Sequence, residues 1–242
     1  MPVPPFPTEA ADRSVAPAVV ELCDVVAVSG SFPVLAGATL RVERGEIVLL
    51  RGPNGAGKTS VLRLCAALLP IERGSGSVLG LDLRTDADLV RARVGLLGHH
   101  NGLYRDLTVE ENVSFWGATV GATGDEVRAA MVRLAVDGRL ADVAVRSLSA
   151  GQRRRVALAC LVARRAELWL LDEPHAGLDA DGRDELDRVL RQAADAGATV
   201  LVASHELERA GHLAGRIVDV VGGRTVDGAG GHDADPGDGC TP

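Results

Sequence analysis

Apolar residues gather along this chain in short separate runs. Leu168-Trp169-Leu170-Leu171 and Val200-Leu201-Val202-Ala203 are unbroken, the pattern of strands buried on both faces of a largely parallel sheet. They belong to predicted strands at 167–171 and 199–203, and further strand patterns cover 19–23, 39–42, 46–50, 93–97 and 217–221. Helical periodicity between them predicts helices at 60–69, 180–196 and 206–214. Strands alternating with helices at both ends of the body predict an α/β fold. The middle, about 99–165, carries no strong strand pattern and reads as helical. There Thr108-Val109-Glu110-Glu111 forms a capping box, with Thr108 as N-cap, Glu111 at N3 and Leu107 placed as a hydrophobic staple. A second clear helix is predicted at 153–165, so the α/β core carries an inserted all-helical subdomain.

The two ends bury little. Residues 1–17 hold five prolines and are expected to form an extended arm. Residues 222–242, rich in glycine and aspartate, are expected to be a disordered tail. The folded body is then 18–221, long enough for one sizeable domain with a subdomain. Aromatic residues are scarce, so Val, Leu, Ala and Ile must build its core. No apolar run reaches membrane-spanning length, and a net charge of −7 argues against a nucleic-acid partner. Arg153-Arg154-Arg155, the one basic block, reads as a solvated helix face or a local phosphate contact. Cysteines 23, 65 and 160 lie in apolar elements and read as small buried hydrophobes, without zinc-site spacing.

The single lysine changes the picture. Lys58 closes the run Gly52-Pro53-Asn54-Gly55-Ala56-Gly57-Lys58-Thr59 in a chain that otherwise uses arginine for every basic position. A planar guanidinium cannot thread a tight loop as a compact ammonium can. The run matches the phosphate-binding loop G-x-x-x-x-G-K-[ST] in full, with a strand before it and a helix after it. Backbone N–H groups of Gly55 to Thr59 would ring the phosphates, Lys58 would bridge the β and γ oxygens, and Thr59 would hold Mg²⁺. Asp172 and Glu173 end the 167–171 strand at its carboxyl edge, where open α/β sheets bind ligands. Asp172 is the second Mg²⁺ candidate, and Glu173 the group that polarises an attacking water. Leu148-Ser149-Ala150-Gly151-Gln152 opens the 153–165 helix, with Ser149 as a competent N-cap and the helix start as an anion site.

Taken in order, these motifs resemble the ATP-binding subunits of ABC transporters, whose signature usually reads L-S-G-G-Q. The phosphate loop, the signature, the acidic strand, Asp179 within Ala176-Gly177-Leu178-Asp179, and His205 after the 199–203 strand all match, over roughly residues 19–221. The resemblance implies a P-loop NTPase core with a mixed, largely parallel sheet and an inserted helical subdomain. It implies an ATPase that takes ATP and Mg²⁺, with Gly52 through Ser60 on the nucleotide and Lys58, Glu173 and His205 as catalytic residues. Two copies would meet head to tail, so that Ser149, Ala150, Gly151 and Gln152 act on the partner's nucleotide and Asp179 lines the seam. A separate integral membrane permease is the expected further partner, with this subunit cytoplasmic and peripheral on the inner face of the membrane. Gly98-His99-His100-Asn101-Gly102-Leu103 and the alanine of the signature look like the ATP-binding subunit of the haem exporter of cytochrome c biogenesis. The alternatives are a soluble ABC ATPase of the iron–sulfur assembly type and the motor of another exporter.

Two positions depart from the family's pattern. The glutamine that such subunits place before the helical insertion is replaced by His100, which is shorter and titrates near neutral pH. The aromatic that stacks on adenine is absent at Ser29, which leaves Phe32 either as a substitute or as a buried turn residue.

Overall fold

In chain order the elements are β1 (Ala18–Ser29), β2 (Phe32–Glu43), β3 (Ile47–Arg51), α1 (Lys58–Cys65), β4 (Arg73–Val78), β5 (Leu81–Asp82), α2 (Ala87–Arg93), β6 (Val94–Leu97), α3 (Val109–Ala118), α4 (Gly124–Arg133), α5 (Ala150–Ala163), β7 (Leu168–Asp172), α6 (Ala180–Asp195), β8 (Thr199–Ala203), α7 (Leu207–Leu213), β9 (Arg216–Val221) and β10 (Arg224–Asp227). The computed structural model describes residues 18–98, 102–205 and 207–227. Its central sheet runs β10-β9-β3-β8-β7-β6, parallel throughout except for β10 against β9.

The unbroken apolar strands follow from burial on both faces. Val48, Leu50, Leu168, Leu170, Leu201 and Ala203 point to one side, where they meet α1 and the antiparallel sheet β2-β1-β4-β5. Leu49, Trp169, Leu171, Val200 and Val202 point to the other, against α5, α6 and the α3–α4 pair. Because side chains alternate along a strand, neither set could turn polar without facing a core. The carboxyl ends of β3, β7 and β8 therefore lie side by side, and the loops leaving them converge.

Several elements were not legible. Arg73-Gly74-Ser75-Gly76-Ser77-Val78 is not among the predicted strands, yet it pairs antiparallel with β1 as β4. Its glycines answer to packing: a Cβ on Gly74 would sit 2.4 Å from the carbonyl oxygens of Cys23 and Asp24. Strands β1 and β2 are far longer than predicted, and α2 and β5 were not anticipated. The predicted tail needs correction at its start. Arg224–Asp227 pair with Val218–Val221 as β10, while Gly222 and Gly223, both at positive φ, make the turn.

Between β6 and β7 the described residues hold α3, α4, α5 and two short 3₁₀ turns. Thr108 and Glu111 form the capping box of α3, and Thr123 and Glu126 form a second one on α4. The staple reading of Leu107 is corrected, because N4 is Asn112 rather than an apolar residue. Asn112 is fully buried and satisfied: Nδ2 donates to Tyr104 O at 3.0 Å and Thr108 O at 2.8 Å, and Oδ1 accepts from Tyr104 N at 2.8 Å. Cys65 and Cys160 are buried free thiols whose pKa burial pushes up to about 12, whereas Cys23 is only half-buried.

Candidate functional site

The loop from β3 to α1 folds against the β9–β10 turn, and glycine permits the approach. A Cβ on Gly52 would lie 2.2 Å from Val220 O, so no side chain fits there. Gly57 caps α1 at φ 111° and offers no side-chain cap, which leaves the first-turn amides for an anion. Lys58 is 7% exposed. Its Nζ donates to the carbonyls of Gly52 at 2.6 Å and Pro53 at 3.1 Å, so the ammonium lies inside the loop it serves.

Above this loop opens a cavity of about 680 Å³. Asn54, Gly55, Ala56, Gly57, Lys58, Thr59 and Ser60 line one side, Asp172, Glu173 and Arg154 another, and Pro33, Val34 and Gly223 a third. Thr59 Oγ1 donates to Asp172 Oδ2 at 2.8 Å. A hydroxyl and a carboxylate are hard oxygen ligands, the donor set that suits Mg²⁺.

Glu173 leaves β7 at φ 48°, an uncommon conformation for a residue with a side chain. Three contacts hold it: its N–H donates to Ala203 O at 2.8 Å, Arg154 Nη2 donates to its carbonyl at 2.7 Å, and its Oε2 lies 2.8 Å from His205 Nδ1. Ser204 Oγ and the His205 amide approach the same oxygen at 3.4 Å.

Other predicted residues lie elsewhere. Ser149 N-caps α5 in a capping box with Gln152, whose Oε1 accepts from Ser149 N at 2.8 Å. Asp179 N-caps α6, its Oδ1 accepting from Gly182 N at 2.9 Å. These two helix starts touch: a Cβ on Gly151 would lie 3.3 Å from Leu178 Cδ2, and one on Gly177 would lie 3.7 Å from Ala150 Cβ. None of Ser149, Ala150, Gly151, Gln152 and Asp179 lines the cavity. Phe32 is 75% exposed, next to the cavity wall, which excludes the buried-turn reading. His100 lies outside the described residues.

Two features went unread. Arg154 is no solvated residue: it is buried, donates to Gly98 O at 3.3 Å as well as to Glu173, and burial lowers its pKa against the opposing pull of Asp172 and Glu173. The signal was available, since Arg154 shares a helix face with Ala157 and Leu158 at i+3 and i+4, both buried. The second is a polar cluster behind Glu173, buried at His175 and Asp187 and opening outward through Arg209 and Asp184. His175 Nε2 lies 2.7 Å from Asp187 Oδ1, and Arg209 Nη1 bridges Asp187 Oδ2 at 2.9 Å and Asp184 Oδ1 at 2.7 Å.

Comparison with known proteins points one way. The family model described as ABC transporter matches residues 35–176. The cytochrome c biogenesis ATP-binding export protein of Rhodospirillum rubrum is 37% identical over 200 residues, covering 83% of this chain and 85% of that protein. The daunorubicin resistance ATP-binding protein of Streptomyces coeruleorubidus is 39% identical over 191 residues, 78% of this chain and 60% of its own length. A solved structure of an ATP-binding subunit of an ABC transporter superposes with a TM-score of 0.78 at 26% identity, covering 86% of this chain and 90% of that one.

Proposed function

The chain belongs to the ABC transporter family as an ATP-binding, ATP-hydrolysing subunit, and from that premise we propose that two copies close head to tail on ATP and drive a membrane permease. The observation that carries this reading is a division within one chain. The phosphate loop, Thr59, Asp172 and Glu173 share a cavity from which Ser149, Ala150, Gly151 and Gln152 are absent. A second copy is needed to bring a signature helix to each nucleotide.

In this reading the loop amides and Lys58 hold the phosphates of ATP, with Lys58 exchanging its loop carbonyls for phosphate oxygens. Thr59 and Asp172 would hold Mg²⁺. That ion, when bound, neutralises charge on the β and γ oxygens. Glu173 accepts a proton from the attacking water. His205, paired with Glu173, keeps that carboxylate aimed and meets the γ-phosphate from the same side. The partner's Ser149, Gly151 and α5 start supply a positive helix end across the seam, where Asp179 also lies.

For the cargo we favour haem export in cytochrome c biogenesis. The support is the name of the Rhodospirillum rubrum relative and the alanine within the signature. The subunit would then sit peripherally on the inner face of the membrane; no helix among the described residues is long and apolar enough to cross one. The test is isolation from native membranes in mild detergent. Co-purification of a stoichiometric integral membrane protein whose presence stimulates the ATPase is the expected result. An ATPase that comes free of membrane protein, bound to soluble partners, would replace transport with a scaffold role.

A further inference from the structure

Behind the cavity the chain makes a second histidine–carboxylate pair, and covalent links tie it to the first. Glu173 and His175 are two residues apart on the loop leaving β7. His205 precedes α7, and Arg209 rides on α7 four residues later. Across the gap, His175 Nε2 meets Asp187 Oδ1 at 2.7 Å, and Arg209 Nη1 meets Asp187 Oδ2 at 2.9 Å. At the front, His205 Nδ1 meets Glu173 Oε2 at 2.8 Å. The result is a closed ring through Glu173, His175, Asp187, Arg209 and His205.

The back of this ring is built to stay put. The side chain of His175 is 1% exposed and that of Asp187 9%, and both oxygens of Asp187 are engaged. Burial pulls the Asp187 pKa up, but the hydrogen bond and charge of His175 and the charge of Arg209 outweigh it and hold it below the ordinary value. An ionised carboxylate only accepts, so at 2.7 Å it is Nε2 of His175 that donates to Asp187. Among the described residues its Nδ1 has no partner, so the ring nitrogen facing Asp187 is the one that fixes the imidazole.

We propose that His175, Asp187 and Arg209 form a strut that sets the distance between Glu173 and His205, with His175 a positioning residue for hydrolysis. Its chemistry is mechanical: Asp187, anchored on α6, clamps the β7 loop through His175 and α7 through Arg209. Two segments that leave different strands are thereby held in one register. This rests on the reading of Glu173 and His205 as the hydrolytic pair.

The experiment is steady-state ATPase kinetics on the purified full chain carrying His175→Leu, His175→Gln and Arg209→Gln, each alone and combined with His205→Ala. His175→Leu removes the donor and is expected to lower kcat about tenfold with little change in KM, the scale of a slightly misplaced reacting group. His175→Gln, whose amide can donate where Nε2 did, should recover most of that loss. In the His205→Ala background neither His175→Leu nor Arg209→Gln should cost anything further, since the strut then has nothing to position. Should His175→Leu fail to fold, Arg209→Gln, at the partly exposed end of the strut, carries the same test. Parent kcat in a folded strut variant, or losses that simply multiply with that of His205→Ala, would overturn the strut. Parent turnover in Glu173→Gln would instead overturn the underlying site.

Discussion

Two histidine–carboxylate pairs of nearly equal length start two residues apart on the loop leaving β7, and their surroundings differ. In the front pair His205 is 64% exposed and Glu173 29%, and Glu173 opens onto the cavity from a backbone at positive φ. In the back pair His175 and Asp187 are almost wholly enclosed, with an arginine closing the remaining carboxylate oxygen. An enclosed, fully engaged carboxylate cannot take a proton from water without breaking its partners. A half-open carboxylate on a strained turn can. Pair geometry alone does not separate chemistry from support; access and the second partner do.

The largest effect should come from the front pair. Glu173→Gln keeps shape and removes the acceptor, and phosphate release is expected to fall by ~10²–10⁴ while ATP binding, followed by a fluorescent analogue, persists. Lys58→Arg should follow, because the ammonium is enclosed between the Gly52 and Pro53 carbonyls with no room for a planar fork. Activity is expected to fall by roughly 10², as when one oriented donor is lost, with nucleotide affinity falling too and the circular dichroism spectrum retained.

What the sequence disclosed divides along the same line. That Lys58, Thr59, Asp172 and Glu173 meet at one cavity was legible because a glycine-rich strand–loop–helix run and a strand-end acidic pair restrict both residue type and spacing. The buried strands were legible because two-sided burial leaves unbroken apolar runs. His175, Asp187 and Arg209 were not, since their partnership crosses three elements and no local spacing encodes it. Arg154 hid between Arg153 and Arg155, which share its type and not its environment. Strand β4 was hidden by glycines chosen for the close approach of another backbone, and Asn112 occupied the place where a staple needs an apolar residue.

The back pair should answer in stability. Asp187→Ala leaves the buried His175 unmatched and Arg209 with Asp184 alone, and is expected to cost about 3 kcal/mol in urea unfolding. The pH dependence has a fixed sign. The Asp187 pKa lies lower in the folded chain than its ordinary 3.8, so its contribution is full above that value and is lost as pH falls through the depressed folded value. Parent and Asp187→Asn unfolding curves should therefore converge at acid pH and separate above it; parallel curves would remove the strut's electrostatic basis. The smallest effect is a control. Thr108→Ala, which loses one N-cap in α3, should cost about 1 kcal/mol and leave turnover unchanged. Ser149→Ala should cost a similar amount in stability and also slow hydrolysis.

That last contrast leads to the claim on which the account depends, that each chain carries half of two composite sites. The direct measurement is the mass of Glu173→Gln in solution with saturating ATP and Mg²⁺, by light scattering, alongside the same variant carrying Ser149→Arg. The account predicts an ATP-dependent dimer for Glu173→Gln and a monomer that still binds ATP once Ser149 is replaced. A Glu173→Gln chain that binds ATP and stays monomeric at every concentration, or a dimer indifferent to Ser149→Arg, would contradict it.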